Sequence, residues 1–238
     1  MNDNILTAKN ISKSYGRLKV LKNINLNITK GDRYILYGSN GAGKTTLVKI
    51  LSTLLYADSG ELSLFGEIIR RHSTKQIRAL IGFMSHQSYL YNDLSALENL
   101  NFYANLYSIK NKKERIENLL KEIGLYHRSH DRIGNFSRGM KQRLALARAL
   151  LHNPDLIFLD EPYAGLDIRA QEILNDIIIQ LNKRGKTFFF ITHDISKGFE
   201  VATRSGILSN GQIVYETKRE KIDTFSKKYK DILLREQN

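Results

Sequence analysis

The chain has 238 residues, 37 lysines and arginines against 24 acids, a formal net charge of +13, and no cysteine. Disulfides and thiolate metal sites are thereby excluded, while the length suffices for a full hydrophobic core in one domain or two. Hydrophobic residues at 42% and charged residues at 26% give the mix expected of a soluble globular protein.

The start, Met1-Asn2-Asp3-Asn4, lacks the basic-then-apolar profile of a signal peptide, and no apolar run approaches the ~20 residues of a membrane span, so a cytoplasmic location is expected. The positive charge fits a solvated surface, an anionic membrane face or nucleic acid. Its local clusters are Lys110-Asn111-Lys112-Lys113 and Lys227-Lys228-Tyr229-Lys230. No run alternates basic and aromatic residues as a stacking platform would, so no nucleic-acid partner is expected.

In chain order, Ile5 to Ile28 alternates apolar and polar residues, punctuated by Gly16 and Asn23, which predicts antiparallel strands. Tyr34-Ile35-Leu36-Tyr37 predicts a buried strand, and Thr46 to Leu51 a helix. Leu62 to Phe65 and Ile81 to Met84 are further strand candidates. From about Ser95 to Leu151 the period becomes helical: Leu97, Leu100, Tyr103, Ala104, Leu106 and Tyr107, then Ile116, Leu119, Leu120 and Ile123 with a stop at Gly124. A third helix is predicted from about Arg138 to Leu151. After Pro154 come a strand at Leu156 to Leu159, a helix from Ile168 to Asn182 ended by Gly185, and a strand from Thr187 to Thr192. A helix from Ile195 to Ala202, a hairpin around Asn210-Gly211 and a basic helical stretch from Lys218 complete the chain. Alternating strand and helix implies a mostly parallel sheet covered on both faces. The fold class is α/β, with an N-terminal antiparallel part and an inserted helical subdomain at about 88–152. Residues 1–87 and 153–217 form the core of this single domain, and 218–238 its C-terminal extension.

The chemistry starts between the strand at 34–37 and the helix after it. Gly38-Ser39-Asn40-Gly41-Ala42-Gly43-Lys44-Thr45 fits G-x-x-x-x-G-K-[ST], the phosphate-binding loop. Its glycines let successive N–H groups turn inward on a polyphosphate. Lys44 adds a point charge for the outer phosphates, Thr45 offers a hydroxyl to Mg²⁺, and the helix beginning near Thr46 adds its dipole. The strand Leu156 to Leu159 ends in Asp160 and Glu161. The first can hold Mg²⁺ and the second can orient or deprotonate an attacking water. His193 follows another apolar strand, where it can bond a γ-phosphate or the water. Taken singly, His193 reads as a polar strand-end histidine, and Gln87 after the strand at 81–84 is unremarkable.

As an ordered set these residues resemble the ATP-binding subunit of ABC transporters, over nearly the whole chain. The resemblance implies that Tyr15 stacks on adenine, that Gln87 serves the γ-phosphate site, the metal and the link to a membrane partner, and that His193 is the switch histidine. It matches Asp160 to the Mg²⁺ aspartate and Glu161 to the catalytic glutamate. Phe136-Ser137-Arg138-Gly139-Met140 stands where the family's Leu-Ser-Gly-Gly-Gln signature belongs, and Ala164-Gly165-Leu166-Asp167 where its dimer-interface loop belongs. Ser137 and Gly139 remain from the usual signature. Arg138 replaces a glycine and Met140 a glutamine, which puts close approach and an amide hydrogen bond in question.

The resemblance implies ATP and Mg²⁺ as ligands and ATP hydrolysis as the activity. It also implies two half-sites per chain, completed in a head-to-tail dimer with a second ATP-binding subunit. A separate integral membrane permease would be the other partner, with this chain peripheral on the inner face of the cell membrane. The segments His86 to Leu94, Glu98 to Tyr103, the Phe136 to Met140 signature and Glu161 to Asp167 look like the cytochrome c maturation ATPase, a haem-exporter type. The alternatives are the ATPase of another exporter, of drug, lipid or polysaccharide type, and a non-transport ABC ATPase acting on ribosomes or DNA.

Overall fold

The computed structural model describes residues 4–70, 74–218 and 221–236. β1 (Asn4–Tyr15) and β2 (Leu18–Thr29) form a long hairpin around Gly16 and Arg17. β1 also pairs with β4 (Ser59–Leu64), which carries the short β5 (Glu67–Ile68), so this antiparallel sheet runs β2-β1-β4-β5. Asn23 does not break the strand. It sits inside β2 at φ +52°, where the register slips by one residue, and Ser12 Oγ receives its N–H at 3.0 Å. That is a bulge, which lets a long strand bend without ending.

The second sheet has the order β10-β9-β3-β8-β7-β6. Its strands are β3 (Arg33–Tyr37), β6 (Ile81–Met84), β7 (Leu156–Asp160), β8 (Thr187–Thr192), β9 (Arg204–Ser209) and β10 (Gln212–Lys218). The five from β9 to β6 are parallel, and β10 returns antiparallel on β9. β7 and β8 are buried at every position, the state that continuous apolar runs predict for the centre of a parallel sheet.

The two faces of this sheet feed two cores by strand alternation. Tyr34, Leu36, Phe158, Phe189 and Ile191 face the antiparallel sheet and α1 (Lys44–Leu51), whose Leu47 and Val48 meet them. Ile35, Tyr37, Ile157, Leu159, Phe188 and Phe190 face the other way. There they pack with α3 (Ala96–Leu106), α4 (Lys112–Glu122), α5 (Arg138–Leu150) and α6 (Ile168–Lys183). A short α2 (Thr74–Arg78) precedes β6. It was not anticipated, and neither was β5.

The helical stretch between β6 and β7 is three helices, α3 to α5, with 3-10 turns at Tyr126–Arg128 and Ile133–Asn135. α3 opens on a capping box: Ser95 Oγ accepts from the Glu98 N–H at 3.2 Å, and Glu98 Oε2 accepts from the Ser95 N–H at 2.7 Å. The helix expected from Ile195 to Ala202 is not formed. Gly198 lies in the left-handed region at φ +77°, and only a 3-10 turn at Phe199–Val201 follows it. A side chain at Gly198 would meet the Tyr163 ring at 2.8 Å, so helical packing gives way to close approach.

α7 (Ile222–Glu236) closes the fold beside β9 and β10. Phe225 is fully buried, with its ring centroid 5.2 Å from those of Tyr37 and Phe199. Phe225→Ala is expected to cost about 3–5 kcal/mol in urea unfolding, the usual loss for emptying an aromatic core position. A cost below ~1 kcal/mol would show that α7 is not held by this ring.

Candidate functional site

Parallel pairing brings the carboxyl ends of β3, β7 and β8 to one edge of the sheet, with β6 ending beside β7. Such an edge is where α/β sheets bind ligands. The loop after β3 shows why glycine is needed there. Gly41 has φ +85° and Gly43 φ +103°. A Cβ on Gly43 would lie 2.9 Å from Val20 O and from Leu21 Cδ2, and one on Gly38 would lie 2.5 Å from Leu208 O. Gly43 is also the N-cap of α1 and supplies no side-chain cap, and the first turn holds no acid. The N–H groups of that turn are thus left to an anion. Lys44 is 7% exposed, and its Nζ donates to Gly38 O at 2.8 Å and Ser39 O at 2.9 Å, so the ammonium arches back over the loop.

A cavity of about 440 Å³ opens here, within the range of small-ligand sites. Of the expected residues, Asn40, Gly41, Gly43, Lys44, Thr45, Thr46, Asp160 and Glu161 line it. Ser39 and Ala42 line an adjoining depression of about 370 Å³ that shares Val20, Asn40 and Gly41 with it. Tyr15 lines neither. Its ring stands half exposed at the tip of the β1–β2 hairpin, with Lys13 Nζ 5.8 Å from the centroid.

Gln87 departs from expectation. It is exposed and does not line the cavity, and its carbonyl accepts from Ser85 Oγ at 2.6 Å. The preceding residue, His86, lines the cavity instead. Both residues lie in the bend beyond β6, where the two-residue alternation of a strand no longer sets which side chain turns inward, so the sequence pattern could not resolve it.

Glu161 is held from β8. Its Oε2 accepts from Thr192 Oγ1 at 2.9 Å, and its Oε1 lies 2.9 Å from His193 Nδ1. His193 thus reaches the cavity through Glu161 rather than by lining it. Glu161 adopts φ +51°, a left-handed conformation uncommon for a non-glycine residue, while its N–H still bonds Ile191 O at 3.0 Å. Sequence reasoning missed Thr192 and His86; a hydroxyl directly before His193 at the end of a buried strand was the available signal. Burial, then the charge of Glu161, pushes the Asp160 carboxyl above the usual carboxylate range, against the opposing pull of His86, Lys44 and Lys49.

The remaining expected residues form a separate patch. Ser137 is the N-cap of α5 and its hydroxyl accepts from the Met140 N–H at 3.2 Å. Asp167 is the N-cap of α6 and accepts from the Ala170 N–H at 2.7 Å. A Cβ on Gly139 would lie 2.9 Å from Ala170 Cβ, so glycine lets the starts of α5 and α6 touch. Arg138 lies over Gly165, where a Cβ would be 2.4 Å from its guanidinium carbon. Met140 packs against the core, and Gln142, two positions past Met140, donates to Pro162 O at 3.1 Å. None of Ser137, Gly139 and Asp167 lines the cavity of its own chain.

A glycine loop capping a helix, a buried lysine and two carboxylates at a strand end define a P-loop nucleotide-hydrolysing protein. A family model described as ABC transporter matches residues 21–164. The chain belongs to the ABC transporter family, as an ATP-binding, ATP-hydrolysing subunit with the ABC ATPase fold. It is 36% identical over 235 residues to the bacitracin transport ATP-binding protein BcrA of Bacillus licheniformis, covering 98% of this chain and 76% of that protein. It is 34% identical to the linearmycin resistance ATP-binding protein LnrL of Bacillus subtilis, covering 88% and 68%. The lantibiotic transport ATP-binding protein SrtF of Streptococcus pyogenes is 36% identical, with 89% and 90% covered. Among solved structures, the ADP conformation of MJ1267, an ATP-binding cassette of an ABC transporter, has a TM-score of 0.86 at 25% identity, covering 97% of this chain and 98% of that one. The dimeric post-hydrolysis state of the cassette MJ0796, bound to ADP and phosphate, has a TM-score of 0.81 at 30% identity, covering 91% and 99%.

Because the folded state raises the Asp160 pKa, folding favours the protonated acid. That contribution is full at acid pH and is lost as pH rises through the raised value. In metal-free buffer, Asp160→Asn is therefore expected to melt above the parent at pH 8, with the gain shrinking toward pH 4. A gain independent of pH in thermal melts would mean that the carboxyl is not strained by its site.

Proposed function

We propose that this chain binds ATP with Mg²⁺ and hydrolyses it in a head-to-tail dimer, driving export through a separate membrane permease. One observation carries the reading: Lys44, Asp160 and Glu161 share a cavity, while Ser137, Gly139 and Asp167 form an exposed edge that does not reach it. In one chain the site is incomplete, and a second copy related by two-fold symmetry would complete two sites at once. The dimeric state of the similar MJ0796 cassette supports this arrangement.

In this reading Tyr15 stacks on the base, and Asn40, Ala42 and the other loop residues wrap the phosphates. The loop N–H groups and Lys44 draw off γ-phosphate charge, while the partner copy's signature closes the opposite side. Glu161, clamped by Thr192 and His193, orients a water in line with the γ-phosphorus. Water's oxygen bonds that phosphorus as the bond to the bridging oxygen breaks, giving ADP and phosphate. Mg²⁺ fits the residues present. Thr45 and Asp160 bring hard oxygen donors to one cavity, and among the described residues no cluster of three or more acids or histidines forms a protein-only cage. That is the sparse set expected of a magnesium that keeps phosphate and water ligands and neutralises developing charge. Gln87 would join this set only if its loop turned.

Residues 88–152 are read as the helical subdomain that meets the permease, on a core of 1–87 and 153–217, with 218–238 as the extension. Tyr89, Tyr91, Phe102 and Leu106 are exposed on the Gln87 loop and α3, with the Tyr91 and Phe102 rings 5.1 Å apart. An apolar face of this kind fits a protein partner. No helix among the described residues is long and apolar enough to cross a membrane, which fits peripheral attachment to a permease at the inner membrane face. For cargo, the names of the similar relatives concern bacitracin, linearmycin and lantibiotics. They favour an exporter of antibiotic-type compounds over the haem-exporter reading tied to cytochrome c biogenesis, and over an ATPase acting on ribosomes or DNA.

Glu161→Gln should lower turnover by about 10²–10⁴-fold while retaining ATP. In size-exclusion chromatography with light scattering, the variant is expected to be a dimer with Mg-ATP and a monomer without it. A variant that binds ATP yet stays monomeric would overturn the homodimer.

A further inference from the structure

We propose that His86 contacts the terminal phosphate, so that the chain tells ATP from ADP partly through an imidazole. This rests on the nucleotide reading of the cavity above. β6 pairs in parallel with β7, Met84 against Leu159. β6 ends there, two residues before His86, while Asp160 ends β7 one residue after Leu159. His86 lines the cavity together with Lys44, Thr45 and both acids. Val20 of β2 and Asn40 of the loop after β3 also line it, with Asp160 at the end of β7 and Glu161 just after it. The acids that the proposed mechanism sets at the terminal phosphate therefore share one cavity with His86.

The chemistry suits the position. Imidazole presents an N–H donor whether neutral or protonated, and hydrogen bonds to charged oxygens are the stronger kind. His86 is exposed at the mouth of the cavity, and its charge acts on Asp160 against the raised carboxyl. Gln87, the neighbouring amide, has its backbone tied to Ser85 and its side chain outside the cavity. His86 is thus the side chain of this loop positioned to report on the terminal phosphate.

The test compares the affinity of the purified chain for ADP and for a non-hydrolysable ATP analogue, in the parent and in His86→Ala, His86→Gln and Gln87→Ala. His86→Ala should weaken the analogue by about tenfold or more, the effect of losing one hydrogen bond to a charged group, and ADP by less than about twofold. His86→Gln, which keeps an N–H donor, should recover most of the loss. Equal weakening of both nucleotides, or no weakening, overturns the proposal. So does selective weakening in Gln87→Ala alone, which would assign the contact to the amide. A parent chain that binds neither nucleotide overturns the nucleotide reading itself, an outcome distinct from the others.

Discussion

Two adjacent carboxylates at the end of a fully buried strand are the constraint around which this site is built. Carboxylates side by side in a partly dehydrated place repel each other and lose hydration. The fold answers each differently. Asp160, the last residue of β7, is buried, and its acidity falls. Glu161 turns into a left-handed backbone conformation and takes two partners from the neighbouring strand, Thr192 and His193. The strain is local and the compensation comes from β8, so the position of Glu161 depends on a strand pairing rather than on its own neighbours in sequence. The positive side of the balance, Lys44, is likewise held by backbone carbonyls of its own loop.

The same logic of close approach shapes the distant edge. Gly139 lets α5 and α6 begin against each other, and Arg138 fills the space over Gly165. The altered signature therefore makes structural sense in this chain. Arg138 exchanges a small residue for a guanidinium seated on a glycine. Met140 exchanges an amide for a thioether that joins the core, while Gln142 supplies an amide to the loop after Glu161. The starts of α5 and α6, each capped by its own side chain, and the loop leading from Glu161 thus form one connected unit. α7 adds to it from the other side: Tyr229 Oη donates to His193 O at 3.4 Å, and Phe225 packs on Phe199. The segment carrying His193 is thus bounded by packed aromatic side chains.

Strands were legible wherever apolar runs coincided with burial on both faces, as in β7 and β8, because a parallel sheet demands continuous apolar sequence. The helices of the middle stretch were legible from their apolar period, and the starts of α3, α5 and α6 carried cap residues at Ser95, Ser137 and Asp167. The segment after His193 was misread because its apolar spacing fits a helix, while Gly198 serves close packing against Tyr163 and Ile35. Asn23 was misread as punctuation because a bulge and a turn favour the same residue types.

By itself, the sequence determined the class of protein and the identity of the phosphate loop, since glycine spacing, lysine and hydroxyl are requirements of backbone geometry and charge that hold in any fold placing a strand before and a helix after. It also marked Asp160, Glu161 and His193, because polar residues directly after buried runs have nowhere to go but the sheet edge. Tertiary structure alone decided who meets whom across that edge. The pairing of β6 with β7 brings His86 into the cavity and leaves Gln87 outside, and the pairing of β7 with β8 places Thr192 and His193 on Glu161. It also decided that Ser137 and Gly139 do not line the cavity of their own chain. Those outcomes depend on register and on the relative placement of segments far apart in the chain, which local residue preferences do not encode.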